Sequence, residues 1–569
     1  MRSLLIVAGL CGLFLGWNAP NHYPPWPTFH LEMFAGFGLC LLGVAAISAS
    51  RTMSASSARP LRVPTSVWVW FAAATVPLMQ YASGQLYFRG DALIGCLYAM
   101  GVGFGVYVGH ALAAQHGRAR VSQALCLTIV VGGLTANALA LMQWLRLPAP
   151  SWWAMELIDD RPFANFGQPN HFGLLMVMAM IALTALFEMR VIERRWVHRL
   201  ALAFLGLGVL VSGSRASALS VLALGGLWLS TQRRVASRLG WRDLVLAIAG
   251  ALLMAVAAEV LQKSLLTTPA DARTTTDVGA RQWIWLHYAA AIRQHPWIGY
   301  GFNQGVAAMA EVASQVHPSR NTPFAHNLLL DLMAWFGVPL ALLLAGALVV
   351  WTAGWLRKTH DQHLMAQRHA VFAIWMALAI QSMLEFPYAH TYFLLPAALL
   401  AGAVTTPGST HTAAGAQRGV RWLRPLGALA VVLFGVLVWE YFQIESDFRF
   451  NRFDRANFSV KVDHQSLQSP WVLDQLAALN ASAKNPPAAG LSDADLEARR
   501  RLARRFHIPS VRLEYAQALA LNGRLADAEH ELLVIRSVNP PQTFERIERS
   551  WRAWLAAHAS TLPATALPR

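Results

Sequence analysis

The sequence predicts an all-α integral membrane protein of about thirteen transmembrane helices, and three observations carry that prediction. Of its 569 residues, 55% are hydrophobic and only 13% charged, against roughly a quarter charged in an ordinary soluble domain. The apolar residues fall in runs long enough to cross a bilayer, which takes about 20 residues of helix. The loops between those runs alternate in basic charge, as the loops of a multi-pass chain do. A net charge of +16 would suggest nucleic acid in a soluble protein, but here the basic residues lie between apolar runs and no nucleic-acid motif accompanies them.

Taken in order, the predicted spans lie near 3–17, 31–49, 66–82, 92–114, 123–145 and 171–188, then near 199–213, 217–231, 244–262, 327–351, 369–385, 391–406 and 425–443. Several runs are short, so the total is bracketed at about twelve to fourteen. The first run, LLIVAGLCGLFLGW after Arg2, is followed by NAPNHYPP with no small-residue cleavage site, and it reads as a retained span. Cys11, Cys40, Cys96 and Cys126 all fall in apolar runs and supply no CxxC pair or disulfide framework.

One set of loops carries Arg51 and Arg62; Arg118 and Arg120; Arg190, Arg194, Arg195 and Arg199; Arg233, Arg234, Arg238 and Arg242; Arg357, Lys358 and Arg368; and Arg418, Arg421 and Arg424. The positive-inside rule assigns these to the cytoplasm. The opposite set comprises PNHYPPWPTFHLE, SGQLYFRGD, the segment around 146–170, the loop 263–326 and EFPYAHT, rich in Trp, Tyr, Pro and His. An odd number of spans then puts the N-terminus inside and the C-terminal tail outside.

Two parts are expected to face water. A membrane domain over 1–443 contains the outer loop of about 263–326, and a helical tail occupies 444–569. The loop is too long for a plain connection, and its ARQWIWLHYAAAIRQHP reads as an amphipathic helix on the membrane face, closed by Pro296. In the tail, VRLEYAQALALNGRLADAEHELLVIRSVNP has the helix, Asn-Gly turn, helix, Pro pattern of one tetratricopeptide-like hairpin. One copy cannot build a solenoid, so a small domain that docks on the membrane part or on a partner is expected.

Three residues stand out chemically. Arg215, in LVSGSRASAL between two short apolar runs, would cost about 2.5 to 3.5 kcal/mol near the membrane, so it is expected to face a polar cavity or an anion, with room left by Gly213 and two serines. A snorkelling Arg in a tight turn is the alternative. Arg281 opens the amphipathic helix, and guanidinium groups match phosphate oxygens in a planar, bidentate way. Its alternative is a helix-surface charge meeting head groups; Lys263, Arg273, Arg293 and Arg320 are weaker candidates of the same kind. His326, in NTPFAHNLLLDLMAWFGVP, sits where the outer loop enters the next span, beside Asn327, and a histidine there could deprotonate a hydroxyl. A structural histidine is the alternative reading, and Asp331 one turn on either orients the ring or lines the cavity. His22, His30 and His171 lack metal-site spacing and read as packing. The run GYGFNQG (299–305) follows no strand and reads as a flexible turn. No G-x-S-x-G elbow, P-loop or zincin motif supports a hydrolase or ATPase.

Several stretches in this order resemble the bacterial protein O-oligosaccharyltransferases of the PglL type, within the O-antigen ligase and polymerase (Wzy) superfamily. PNHYPPWPTFHLE is similar to the outer loop that marks the protein-glycosylating branch, and FGQPNHFG, GSRASAL, HPWIGYGFNQ and HNLLLDLMAWFGVP to successive signatures of the ligase core. EFPYAHTYFLLP resembles the block that follows, and the helical hairpin the tail often fused to this branch. The resemblance covers nearly the whole chain.

It implies a glycosyltransferase C-like fold in the bacterial inner membrane, with loop and tail in the periplasm. The implied reaction moves a preassembled oligosaccharide from undecaprenyl diphosphate to Ser or Thr of a periplasmic protein such as pilin, with inversion and with no metal or other cofactor. His326 matches the histidine thought to activate the acceptor hydroxyl, and Arg215 and Arg281 match arginines that hold the lipid diphosphate. Tyr392, or else Tyr388, matches a tyrosine of the EFPYAHTYF block, while Gln168, Asn170 and Asn327 are expected to bind substrate. An O-antigen ligase acting on lipid A core and an O-antigen polymerase share these residues and stay open; the proline-rich first loop and the tail favour a protein acceptor. A lipid-linked glycan transporter would show internal repeats and deep charge pairs, and the sequence has neither.

Overall fold

Apolar runs separated by Gly, Pro and Arg clusters become helices. Every predicted span but one coincides with a single continuous helix, from Arg2–Asn18 and Phe29–Ser50 through to Thr391–Val404 and Ala413–Arg455. The computed structural model describes residues 1–20, 22–50, 63–148, 150, 152–157, 161–235, 237–265, 278–316, 322–356, 361–405, 413–455, 467 and 469–558, and among these there is no strand. Among them, 7 helices are long and apolar enough to cross a membrane, and Arg2–Asn18, Arg215–Ser230 and Thr391–Val404 are shorter apolar helices. The protein is an all-α membrane protein. Arg273 and Arg320, and the side chain of Lys263, lie outside the described residues.

Two expectations about boundaries need correction. The predicted span 327–351 is broken into Leu328–Phe336 and Val338–Ala353, with Gly337 at φ 77° between them. Hydropathy runs on unbroken through this stretch and so hides the break. The last predicted span, 425–443, belongs to the longer helix Ala413–Arg455, whose Glu440 accepts hydrogen bonds from the backbone N–H of Trp471, Val472 and Leu473 at 2.5 to 2.9 Å.

The chain divides into two compact units. The first comprises Met1–Ala74, Leu97–Ala272 and Ala347–Phe434. Here helices approach closely because the contact residues are small, the usual means of association where hydrophobicity alone cannot drive it. Arg2–Asn18 lies against Phe29–Ser50 with Gly12 facing Gly38, where a Cβ on Gly12 would come within 2.8 Å of the Gly38 Cα. The helix Pro169–Glu188 is the most enclosed of the long apolar helices, with 78% of its most apolar 18-residue stretch buried. Pro169 starts it at a position that needs no N–H partner. It is therefore the central post, and its N-terminal end carries Gln168 and Asn170.

The second unit comprises Thr75–Cys96, Arg273–Gly346 and Gly435–Arg569. As the sequence predicts, Val278–Gln294 is a helix that stops before Pro296, and the tail forms the hairpin Pro509–Leu521 and Leu525–Val538 around Asn522 and Gly523. The hairpin docks on the outer loop: Val534 and Val538 share a core with Ile284, Tyr288, Ile292, Met309 and Ala325. The Ser537 hydroxyl hydrogen-bonds the carbonyls of Ala313 and Val316 at 2.6 and 3.1 Å. Arg505 closes a bidentate ion pair on the buried Asp91, both contacts at 2.7 Å.

The GYGFNQG run is a built seat, and the flexible-turn reading is corrected. Tyr300 and Gly301 donate their backbone N–H to the carbonyls of Ala334 and Trp335 at 2.7 and 3.1 Å, and Val338 donates to Pro296 at 2.7 Å. Gln80 spans the same junction, its amide nitrogen on the Trp335 carbonyl at 2.8 Å and its oxygen accepting from Phe302 N–H at 2.9 Å. The carbonyls exposed by the break at Gly337 thus find partners, as a buried helix end requires.

Candidate functional site

In the second unit, the segment that carries His326 is held on all sides. Asp331, fully buried, accepts the Ala325 N–H on both carboxylate oxygens at 3.0 and 3.1 Å. Trp285 Nε1 donates to the Ala325 carbonyl at 3.0 Å, and the Tyr288 hydroxyl donates to the Pro323 carbonyl at 3.3 Å. Burial, then the Asp331 carboxylate, push the Tyr288 phenol well above its usual pKa, so it serves as a hydrogen-bond donor. Asn327 caps the helix Leu328–Phe336, its side-chain oxygen accepting from Leu329 and Leu330 N–H at 3.1 and 3.2 Å. Between these anchors His326 is half-buried with φ 53°. Left-handed backbone costs a non-glycine residue about 1 to 3 kcal/mol and persists only where the surroundings over-determine it. Here Asp331, Trp285 and Asn327 do so. Arg281 and Trp285 are four residues apart on the helix Val278–Gln294 and so share a face, roughly 6 Å apart along its axis. Arg281 therefore lies on the same helix face as Trp285, whose indole meets the Ala325 carbonyl.

In the first unit, Arg215 is exposed at the first position of the helix Arg215–Val235. Its flanking serines have structural work: Ser214 Oγ accepts the Ser217 N–H at 3.2 Å as an N-cap, and Ser217 Oγ accepts from Gln381 Nε2 at 2.9 Å. Gly213, at φ 57°, closes the helix before it.

A second cluster in this unit joins three sequence stretches far apart in the chain. Gln168 Nε2 and Asn170 Nδ2 donate to the buried Glu385 carboxylate at 3.3 and 2.7 Å. His171 lies edge-on to His390, ring centroids 4.6 Å apart. His390 Nδ1 is 2.9 Å from Glu32 Oε1, and Glu32 also accepts from the N–H of Thr391 at 2.7 Å. Tyr392 is fully buried with its hydroxyl 3.3 Å from His171 Nδ1, whereas Tyr388 is half-buried on the short turn Pro387–Ala389. The packing reading of His171 fits this environment. Glu32 and Glu385, which organise the cluster, were not singled out in the sequence.

Residues 200–345 match the family model described as O-Antigen ligase, and residues 369–553 match one described as Virulence factor membrane-bound polymerase, C-terminal. The chain is 25% identical over 557 residues to a General O-oligosaccharyltransferase of Acinetobacter baylyi, covering 95% of this chain and 93% of that protein. It is 23% identical over 412 residues to the ComP-specific O-oligosaccharyltransferase of the same organism, covering 71% and 72%.

Over residues 200–345 and 369–553 the chain is similar to the O-antigen ligase superfamily. It resembles the PglL-type O-oligosaccharyltransferases within it, and it is an enzyme, a glycosyltransferase of the oligosaccharyltransferase kind. Arg215, Arg281 and His326 all lie in the span that matches the ligase model, Tyr388 and Tyr392 in the second match, and Gln168, Asn170 and Glu32 outside both.

The proline-rich first loop lies directly on the FGQPN turn. The His22 ring rests on Gly167, where a Cβ would come within 2.7 Å of its Nε2. Burial first, then the neighbouring His390 and His30, push His22 down to about 4. Because the folded value lies below the ordinary 6.5, only the unfolded or detached loop takes up a proton readily. The stability this loop contributes is complete above pH 6.5 and declines as pH falls toward 4, by up to about 3 kcal/mol at 1.36 kcal/mol per unit. Melting in detergent should therefore drop between pH 7 and pH 5 in wild type and drop less in His22→Gln. Equal pH slopes would refute it.

Proposed function

We propose that the protein transfers a preassembled oligosaccharide from undecaprenyl diphosphate to Ser or Thr hydroxyls of periplasmic proteins, pilin-like acceptors among them. In this reading it works in the bacterial inner membrane, with loop, active site and tail on the periplasmic face. The observation that carries the proposal is the braced left-handed turn at His326, with Arg281 on the same helix face as Trp285, one of its braces.

His326 takes the proton from the acceptor hydroxyl as its oxygen attacks the anomeric carbon. The bond from that carbon to the diphosphate oxygen breaks, and the lipid diphosphate leaves with the electron pair. Direct displacement inverts the anomeric centre. Arg281 holds the growing charge on the leaving diphosphate, and Arg215 keeps the diphosphate-binding role that the resemblance implies for it. Gln168 and Asn170 are assigned to the glycan. Asn327 acts first as a helix cap, and any contact it makes with substrate comes through its remaining amide. Of the two tyrosines, Tyr388 has the exposure a substrate contact needs, and Tyr392 supports the cluster from within. No metal enters the scheme.

The test uses purified protein, a polyprenyl-diphosphate oligosaccharide and an acceptor pilin, with intact-mass detection of the product. Arg281→Ala is expected to raise the donor KM roughly 10- to 100-fold, the loss of about 1.5 to 3 kcal/mol of charge-assisted hydrogen bonding. Transfer to lipid A core sugars but not to any protein would overturn the acceptor assignment, and an unchanged KM in Arg281→Ala would overturn the role of that residue.

A further inference from the structure

Gln168 and Asn170 both aim their amides at one carboxylate, Glu385, which is only 2% exposed. A carboxylate offers acceptors only, so each amide must turn its NH2 inward and its carbonyl oxygen away. The two oxygens then differ. Asn170 Oδ1 accepts from Arg161 Nη2 at 3.3 Å, and Arg161 Nε is itself held on the Ser212 carbonyl at 2.9 Å. Gln168 Oε1 accepts from none of the described residues. Gln168 is half-buried, in extended backbone (φ −144°) before Pro169 and after the left-handed Gly167. Its side chain is thus fixed at one end and presents a bare acceptor at the other.

We propose that Glu385 is a positioning residue for glycan recognition: by holding the Gln168 amide in one sense it presents Gln168 Oε1 to a glycan hydroxyl or acetamido N–H. The subsite selects hydrogen-bond donors and rejects phosphate, because an acceptor oxygen backed by a carboxylate repels an anion. It therefore reads the sugar and leaves the diphosphate to the arginines. The inference rests on the lipid-linked donor reading above.

The experiment measures transfer kinetics with a panel of polyprenyl-diphosphate disaccharides, each lacking one hydroxyl or the acetamido group. Wild type is expected to show a KM raised about ten-fold or more for one member, since a site built to hydrogen-bond a substrate group rejects the analogue that lacks it. In Glu385→Gln the carboxamide no longer dictates which end of Gln168 faces it. The KM for the intact donor should rise to that of the rejected analogue and the discrimination ratio should fall toward one, with kcat changed less than about three-fold. Glu385→Asp, which keeps the carboxylate, should restore part of the ratio. Should Glu385→Gln fail to fold, Gln168→Leu must show the same collapse while leaving Asn170 on Glu385. A folded Glu385→Gln or Gln168→Leu that keeps the wild-type ratio overturns the inference, as does a wild type that discriminates against no member. A wild type inactive on every polyprenyl-diphosphate donor overturns the donor reading, and this inference with it.

Discussion

Replacing His326 with asparagine is expected to lower kcat for glycan transfer by about two to four orders of magnitude, the usual contribution of a positioned general base, while the donor KM stays within a few-fold. Asparagine is the informative choice because His326 sits at φ 53°, and Asn tolerates left-handed backbone better than Ala does. The substitution thus removes the base and leaves the turn. Its braces act on the backbone, Asp331 on Ala325 N–H and Trp285 on the Ala325 carbonyl, so none of them depends on the imidazole shown there. Unchanged melting together with a kcat within ten-fold of wild type would remove His326 from the chemistry. Lost melting would mean that the ring is structural, the alternative that the sequence leaves open.

The parts of this molecule that depend on local composition were legible in its sequence. Twenty-residue apolar runs, the Pro296 stop, and the Asn522-Gly523 turn all state their structure within a few residues. What was not legible depends on partners distant in the chain. Glu385 meets Gln168 across 217 residues and Glu32 meets His390 across 358, and an acid in a loop gives no sign of which amide or ring it will meet. The tail hairpin was readable as a hairpin, but its docking surface, Val534 and Val538, looks like any apolar helix stripe until the loop core it completes is seen. The break at Gly337 was hidden for a different reason. Leu328–Phe336 and Val338–Ala353 are both apolar, and only the residues Gly-Val-Pro mark the junction. GYGFNQG looked flexible because its glycines were read without the carbonyls of Ala334 and Trp335 that they seat against.

That junction sets the second large effect. Gly337 has φ 77° and ψ 164°, a region that only glycine occupies readily. An added Cβ would also lie 2.2 Å from the Trp297 carbonyl oxygen. The obstacle is backbone and cannot swing aside. Gly299, on the facing loop, is as constrained, with φ 66° and a Cβ position 2.5 Å from the Ala334 carbonyl oxygen. Gly337→Ala must therefore part the two segments, straining the bonds from Tyr300 to Ala334, Gly301 to Trp335 and Val338 to Pro296 and the Gln80 bridge. Strain of about 1 to 3 kcal/mol and two or more weakened hydrogen bonds at about 1 kcal/mol each predict a loss of roughly 3 to 5 kcal/mol. Gly346→Ala is the control, since beyond its own helix backbone nothing lies within 4 Å of its Cβ position and its helix should gain from alanine. Melting in detergent and limited proteolysis of the 296–337 segment check the prediction, and equal melting of the two variants would refute it. Activity adds a further reading. The half-helix that ends at Gly337 begins beside His326, so a Gly337→Ala protein still folded at low temperature should lose kcat more than donor affinity, because the braces on His326 act through that helix.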